Sequence, residues 1–92
     1  MSVCEVKARK GLIRVKVVVD EGKIVNVSIT GDFIVLPEDS VFEAESRLIG
    51  VRATESEVRA ALASALSGAS MTGVTVDDFV DAVMCAVRGE KG

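Results

Sequence analysis

Ninety-two residues make one domain, expected to span 1–92, and a chain of this size buries only about 60 to 65 per cent of the surface its unfolded form exposes. Fourteen acidic residues against eleven basic ones give a net charge of −3, the wrong sign for a general binder of nucleic-acid backbones. Hydrophobic residues reach 49%, yet with three Phe and no Trp or Tyr the chain lacks stacking platforms for bases or sugars.

Residues 12–20 alternate, with Ile13, Val15, Val17 and Val19 on one side and Arg14 and Lys16 on the other, the pattern of a strand with one covered face. The segment before it, residues 2–8, reads as a further strand or an arm. Asp20-Glu21-Gly22-Lys23 is turn chemistry and leads into a second alternation, Val25, Val27 and Ile29 against Asn26, Ser28 and Thr30, which completes a hairpin. Gly31-Asp32 breaks the pattern. The short apolar run Phe33-Ile34-Val35-Leu36, stopped by Pro37, then reads as a third antiparallel strand.

After Pro37 the period becomes helical. Proline suits a first helical turn, and Glu38 and Asp39 complement the positive end of the dipole. The helix runs to Ile49, presents Val41, Ala44, Glu45, Leu48 and Ile49, and stops at Gly50. Thr54 with Glu57 reads as a capping box ahead of the stripe Val58, Ala61, Leu62, Ala65 and Leu66, which Gly68 closes. Residues 69–74 form a small-residue linker. Thr75 with Asp78 caps a third helix carrying Val76, Phe79, Val80, Val83, Met84 and Val87, ended by Gly89, and the tail Glu90-Lys91-Gly92 is expected to fray. The fold class is α+β: a small antiparallel sheet of three strands, four if the opening segment joins it, followed by three helices packed on one face.

Without histidine, Ser-His-Asp, Cys-His and zinc-hydrolase arrangements are excluded. The pairs Glu38-Asp39 and Asp77-Asp78 fall in first helical turns, where acids serve the dipole. No glycine-rich phosphate loop occurs, so neither a catalytic residue nor a metal site is expected. Cys4 and Cys85 have no C-x-x-C spacing and read as two buried or half-buried thiols in a reducing compartment; a disulfide between the N-terminal segment and the last helix is the alternative. No apolar run approaches the roughly 20 residues of a membrane span, and Met1-Ser2-Val3-Cys4-Glu5 lacks the layout of a signal peptide, which predicts a cytoplasmic protein without a membrane partner. Lys7, Arg9, Lys10, Arg14 and Lys16 are the one local excess of positive charge. They read either as a solvated strand face guarded against edge pairing or as a basic patch that meets an acidic partner or an adenylate phosphate.

One stretch is more specific. Lys7, Lys10-Gly11-Leu12-Ile13, Gly31-Asp32-Phe33, Pro37-Glu38, and Glu45 with Leu48 together resemble the signature of the accessory C-terminal domain of lipoate-protein ligases. The likeness covers about the first half of the chain, and the usual glycine-then-lysine order is reversed at Lys10-Gly11. In some organisms that domain is a separate small subunit. The resemblance implies a non-catalytic accessory subunit, working as a heterodimer with a catalytic subunit that holds ATP and lipoate. That enzyme forms lipoyl-adenylate before lipoylating lysines of lipoyl-domain proteins. By the same resemblance Lys7, Lys10, Gly11, Gly31, Asp32, Phe33, Pro37, Glu38 and Glu45 are the candidate partner-binding positions. The rival readings are a small scaffold or sulfur or iron-sulfur carrier, which would use an exposed reactive cysteine, and a homodimeric structural domain using an open sheet face.

Overall fold

The computed structural model describes residues 1–90. Three strands, β1 (Ser2–Ala8), β2 (Gly11–Asp20) and β3 (Lys23–Gly31), form an antiparallel sheet in chain order. The opening segment is therefore a strand, in register with β2 from Ser2 opposite Val17 to Ala8 opposite Gly11. The turn between β2 and β3 has positive φ at both Glu21 and Gly22, the form that suits the twist of a two-residue hairpin.

A bulge interrupts this hairpin. Val18 pairs with Asn26 but Val19 pairs with Ile24, so Val25 is left without a partner. The alternation expected for this strand is broken there: Ile24 is fully buried, whereas Val25 is 47% exposed.

The next strand, β4 (Ile34–Leu36), does not extend the sheet as the sequence suggested. It pairs antiparallel with β5 (Ser70–Thr72), which lies inside the stretch expected to be a linker, and the two make a separate ribbon. Three helices complete the chain: α1 (Ser40–Leu48), α2 (Glu55–Leu66) and α3 (Val76–Gly89). Helix α3 packs on β1 and β2, α1 lies beside β3 and β4, and α2 packs against the other two helices instead of the sheet. The expected layer of three helices on one sheet face is thus two elements thick at α2.

The core is aliphatic. Ile13, Val15 and Val17 point from β2 towards α3, whose buried face (Phe79, Val80, Ala82, Val83, Met84 and Ala86) is wide because the helix is covered by sheet on one side and by α2 on the other. The α2 stripe Val58, Leu62 and Leu66 is buried, as is Leu48 of α1.

The start of α1 differs from the expected one, and one of the two expected capping boxes is missing. Pro37 precedes α1: it follows a cis peptide bond, and its carbonyl accepts the Ser40 N–H at 3.0 Å, so it shapes the turn before the helix. Thr54 is the N-cap of α2 but makes no side-chain cap bond, and the box with Glu57 does not form. Thr75 and Asp78 do form theirs, with the Asp78 N–H donating to Thr75 Oγ1 at 3.2 Å and the Thr75 N–H donating to Asp78 Oδ2 at 2.9 Å. Arg59 joins α2 to α3 through Asp77, and that hydrogen bond raises the guanidinium pKa further.

Cys4 and Cys85 are joined in a disulfide with Cα atoms 5.9 Å apart, fastening the edge strand β1 to α3. The free-thiol reading gives way to the alternative. Glu90 does not fray either: its carboxylate accepts the Val19 N–H at 3.2 Å and pairs with the Met1 ammonium at 3.2 Å. The rest of the tail, Lys91 and Gly92, lies outside the described residues. No helix among the described residues is long and apolar enough to cross a membrane.

Candidate functional site

The residues between β3 and β4 build a junction against the start of β2. Gly31 ends β3 opposite Ile13, with φ +151°. A Cβ on it would run into the Leu12 carbonyl oxygen. Asp32 then satisfies both backbone groups of Leu12: its own N–H donates to the Leu12 carbonyl at 3.2 Å, and its Oδ1 accepts the Leu12 N–H at 2.5 Å. From the other side Gly11, at φ +152°, lets the chain pass so closely that a Cβ there would stand 3.1 Å from the Asp32 carbonyl oxygen. Phe33 follows and sets its ring edge-on to Phe79, centroids 5.1 Å apart, which anchors the junction to the core at α3. These contacts turn the chain out of the sheet.

The structure thus brings Gly11, Gly31, Asp32 and Phe33 to one place. Lys10 joins its flank through the backbone, donating its N–H to the Gly73 carbonyl at 3.0 Å, while its side chain is exposed. Lys7 stands opposite Leu12 on the open sheet face, one residue pair from the junction. Pro37 and Glu38 lie beyond the far end of β4, both exposed.

Glu45 sits apart from that cluster, and its role is clear. Its Oε2 accepts the Ile29 N–H at 2.7 Å, so a carboxylate from α1 satisfies the outer edge of β3. Glu45→Ala would leave that partly buried donor without a partner and is expected to cost about 1–3 kcal/mol, whereas Glu45→Gln retains a carbonyl acceptor and is expected to cost less. Denaturant titration of both variants checks the order.

The sheet face away from the helices is open. Its cross-strand rows place Glu5 beside Arg14 and Arg14 beside Thr30, then Val3 beside Lys16 and Lys16 beside Ser28. Arg14, Lys16, Ser28 and Thr30 line a cleft of about 220 Å³. Arg14 faces Glu5 at 3.8 Å, while Lys7 and Lys16 make no ion pair among the described residues. The two hydroxyl residues were not singled out in the sequence; their place opposite the cations follows from the strand register.

Exposed apolar groups mark a second surface. Ile34 and Leu36 on β4 are 56% and 51% exposed, and Phe42 on α1 is 70% exposed beside a cleft of about 440 Å³ lined by Asp39, Ser40, Glu43, Ser46 and Ala65. Phe42 falls outside the stripe read for its helix, a signal that was present in the sequence.

Among the described residues no hydroxyl on either surface hydrogen-bonds to a side-chain base, although Lys16 stands beside Ser28, and the disulfide takes up both thiols. Among the described residues no group of three His, Cys, Asp or Glu side chains could hold a metal ion. The arrangement offers two surfaces for contact, a cationic sheet face and a set of exposed apolar side chains on β4 and α1.

The family described as bacterial lipoate protein ligase C-terminus matches residues 4–83. "Lipoate-protein ligase A subunit 2" of Thermoplasma acidophilum is 48% identical over 44 residues, a segment that spans 48% of this chain and 47% of that protein, about half the length of each. A chain from a structure of a bi-partite lipoate protein ligase and its E2 lipoyl domain, also from Thermoplasma acidophilum, superposes with a TM-score of 0.81 at 33% identity. That superposition covers 88% of this chain and 91% of that one.

Proposed function

Since this chain belongs to the bacterial lipoate protein ligase C-terminus family, we propose that it acts as the accessory subunit of a two-part lipoate-protein ligase. Its partner is a separate catalytic chain that holds ATP and lipoate, and the two act together in the cytoplasm to form lipoyl-adenylate before lipoylation of acceptor lysines. The observation that carries the reading is the extent of the structural match: the superposition takes in 88% of this chain and 91% of a chain from a bi-partite ligase, so two small chains correspond nearly end to end.

The contribution is conformational. With no histidine in the chain and no free thiol among the described residues, we read its part as surface offered to the catalytic chain. Docked against the catalytic chain, it orders loops around the nucleotide and excludes water, which strengthens the electrostatic interactions that hold a developing adenylate. The junction of Gly11, Gly31, Asp32 and Phe33 suits that role because paired hydrogen bonds and close backbone contact hold the two segments together.

The test is reconstitution. Purified separately, this chain is expected to bind neither lipoate nor ATP, and adding it to the catalytic chain is expected to raise lipoate-dependent pyrophosphate release. Equal release with and without it would discard the proposal.

A further inference from the structure

We infer that the open face of the β1–β2–β3 sheet, centred on Arg14 and Lys16, is the surface that docks the catalytic chain, and that it meets an acidic protein surface there. The inference rests on the accessory-subunit reading and adds the face and the chemistry of its partner.

Charge in this molecule is divided by layer. The helix arginines are already engaged: Arg47 with Glu43 at 2.9 Å, Arg59 with Glu55 at 3.7 Å and with Asp77, and Arg88 with Glu55 at 3.7 Å; Arg52, in the loop between α1 and α2, makes no ion pair among the described residues. On the sheet side, Lys7, Arg14 and Lys16 project from the open face, and Arg9 and Lys10 occupy the turn that leads into it. Glu5 shares that face and meets Arg14 only at 3.8 Å, and Asp20, on the same face by alternation, stands at its far end opposite Lys23. Asp32, at the junction bordering that face, accepts the Leu12 N–H. A chain of net charge −3 therefore presents one positive face, and its neighbours Ser28 and Thr30 add hydroxyls able to bond carboxylates.

The character of that face selects its occupant. A second copy packed face to face about a two-fold axis would set cations against cations. Nucleic acid is disfavoured by the overall negative charge and by the lack of stacking aromatics on this face. An acidic protein surface fits the unpaired cations, and Val3 and Leu12, 43% and 36% exposed, provide apolar contact between them. Such a surface steers encounter and fixes orientation, so its loss acts on association rate and on salt dependence.

The experiment measures binding of the full chain to the catalytic chain by biolayer interferometry, at salt concentrations of about 50 and about 300 mM, on either side of the range where screening becomes short. The expected result is at least a tenfold weakening with added salt. The pair Arg14→Glu with Lys16→Glu should weaken binding at least tenfold at low salt, chiefly through the association rate. The pair Lys23→Glu with Arg52→Glu, the same change in charge at the opposite end of the sheet, should stay within about twofold. Circular dichroism melts of both pairs report folding. Wild-type binding that ignores salt and survives the Arg14 and Lys16 reversal would overturn the docking face while leaving the accessory role intact. Absence of any complex with the wild-type chain would instead overturn the accessory role. Equal weakening by both pairs, or wild-type capture by duplex DNA in place of the catalytic chain, would also overturn the assigned face.

Discussion

Gly31→Ala is expected to destabilise the protein by about 2–5 kcal/mol, the sum of a disfavoured backbone conformation and an overpacked contact. The added methyl meets the Leu12 carbonyl oxygen, a backbone atom that cannot swing aside as the end of a side chain would. Relief requires β2 and the junction to separate, and that breaks the paired hydrogen bonds between Asp32 and Leu12. For a domain of this length such a loss corresponds to a fall in Tm of at least about 10 °C. Gly50→Ala is the control. It also has positive φ, +85°, but a Cβ there meets nothing within 4 Å, so only the conformational cost of about 1 kcal/mol should appear. Differential scanning calorimetry of the two variants decides the matter; similar losses would show that the close approach to Leu12 contributes nothing.

The second large effect concerns the disulfide. Cys4 and Cys85 are separated by 81 positions, so the bond closes nearly the whole chain, and the loop-closure estimate puts its effect on the unfolded state at roughly 4 kcal/mol. Cys4→Ser with Cys85→Ser is expected to lower stability by about that amount. The loss should be greatest at β1, an edge strand paired only with β2 and packed on α3. Hydrogen exchange should show amides of β1 opening well before those of β2. If the double variant melts with the wild-type protein, or if β1 stays as protected as β2, the bond is not what secures that strand. The reading of two reduced thiols failed because cysteine spacing carries no information about a contact made across the whole chain; only the packing of α3 on β1 brings the two residues together.

The β2–β3 hairpin and the three helices were legible because each has local periodicity or turn chemistry: Glu21-Gly22 for the hairpin, Thr75 with Asp78 for α3, and Val58, Leu62 and Leu66 for α2. Strand β4 was visible as an apolar run, but its partner was not. Ser70-Met71-Thr72 has no period to detect, and the pairing joins segments whose relation is fixed only after the helices pack. The bulge that exposes Val25 and buries Ile24 is likewise a property of the pair of strands, so neither strand shows it alone.

At the candidate site, Gly31-Asp32 was recognisable as turn chemistry. That Gly11 belongs to the same turn required the three-dimensional approach of two segments 20 residues apart. Glu45 was read as part of the face its helix presents with Val41, Ala44 and Leu48, and as a candidate partner-binding position. Its bond to the Ile29 N–H depends on where α1 comes to rest, which no helical pattern encodes. The cation row on β2 was read correctly as sharing one face, but the hydroxyls opposite it needed the register.

The outer border of β3 is occupied near both ends: Glu45 takes the Ile29 N–H, the Val51 carbonyl takes the Ile24 N–H, and the Ile24 carbonyl and that of Gly22 in the turn accept from Gly50 and Ala53. An incoming extended peptide therefore finds only the short middle stretch around Val27 open on that side. At β1, the opposite border of the same sheet, Glu5 and Lys7 interrupt any flat apolar surface on which templated stacking could begin.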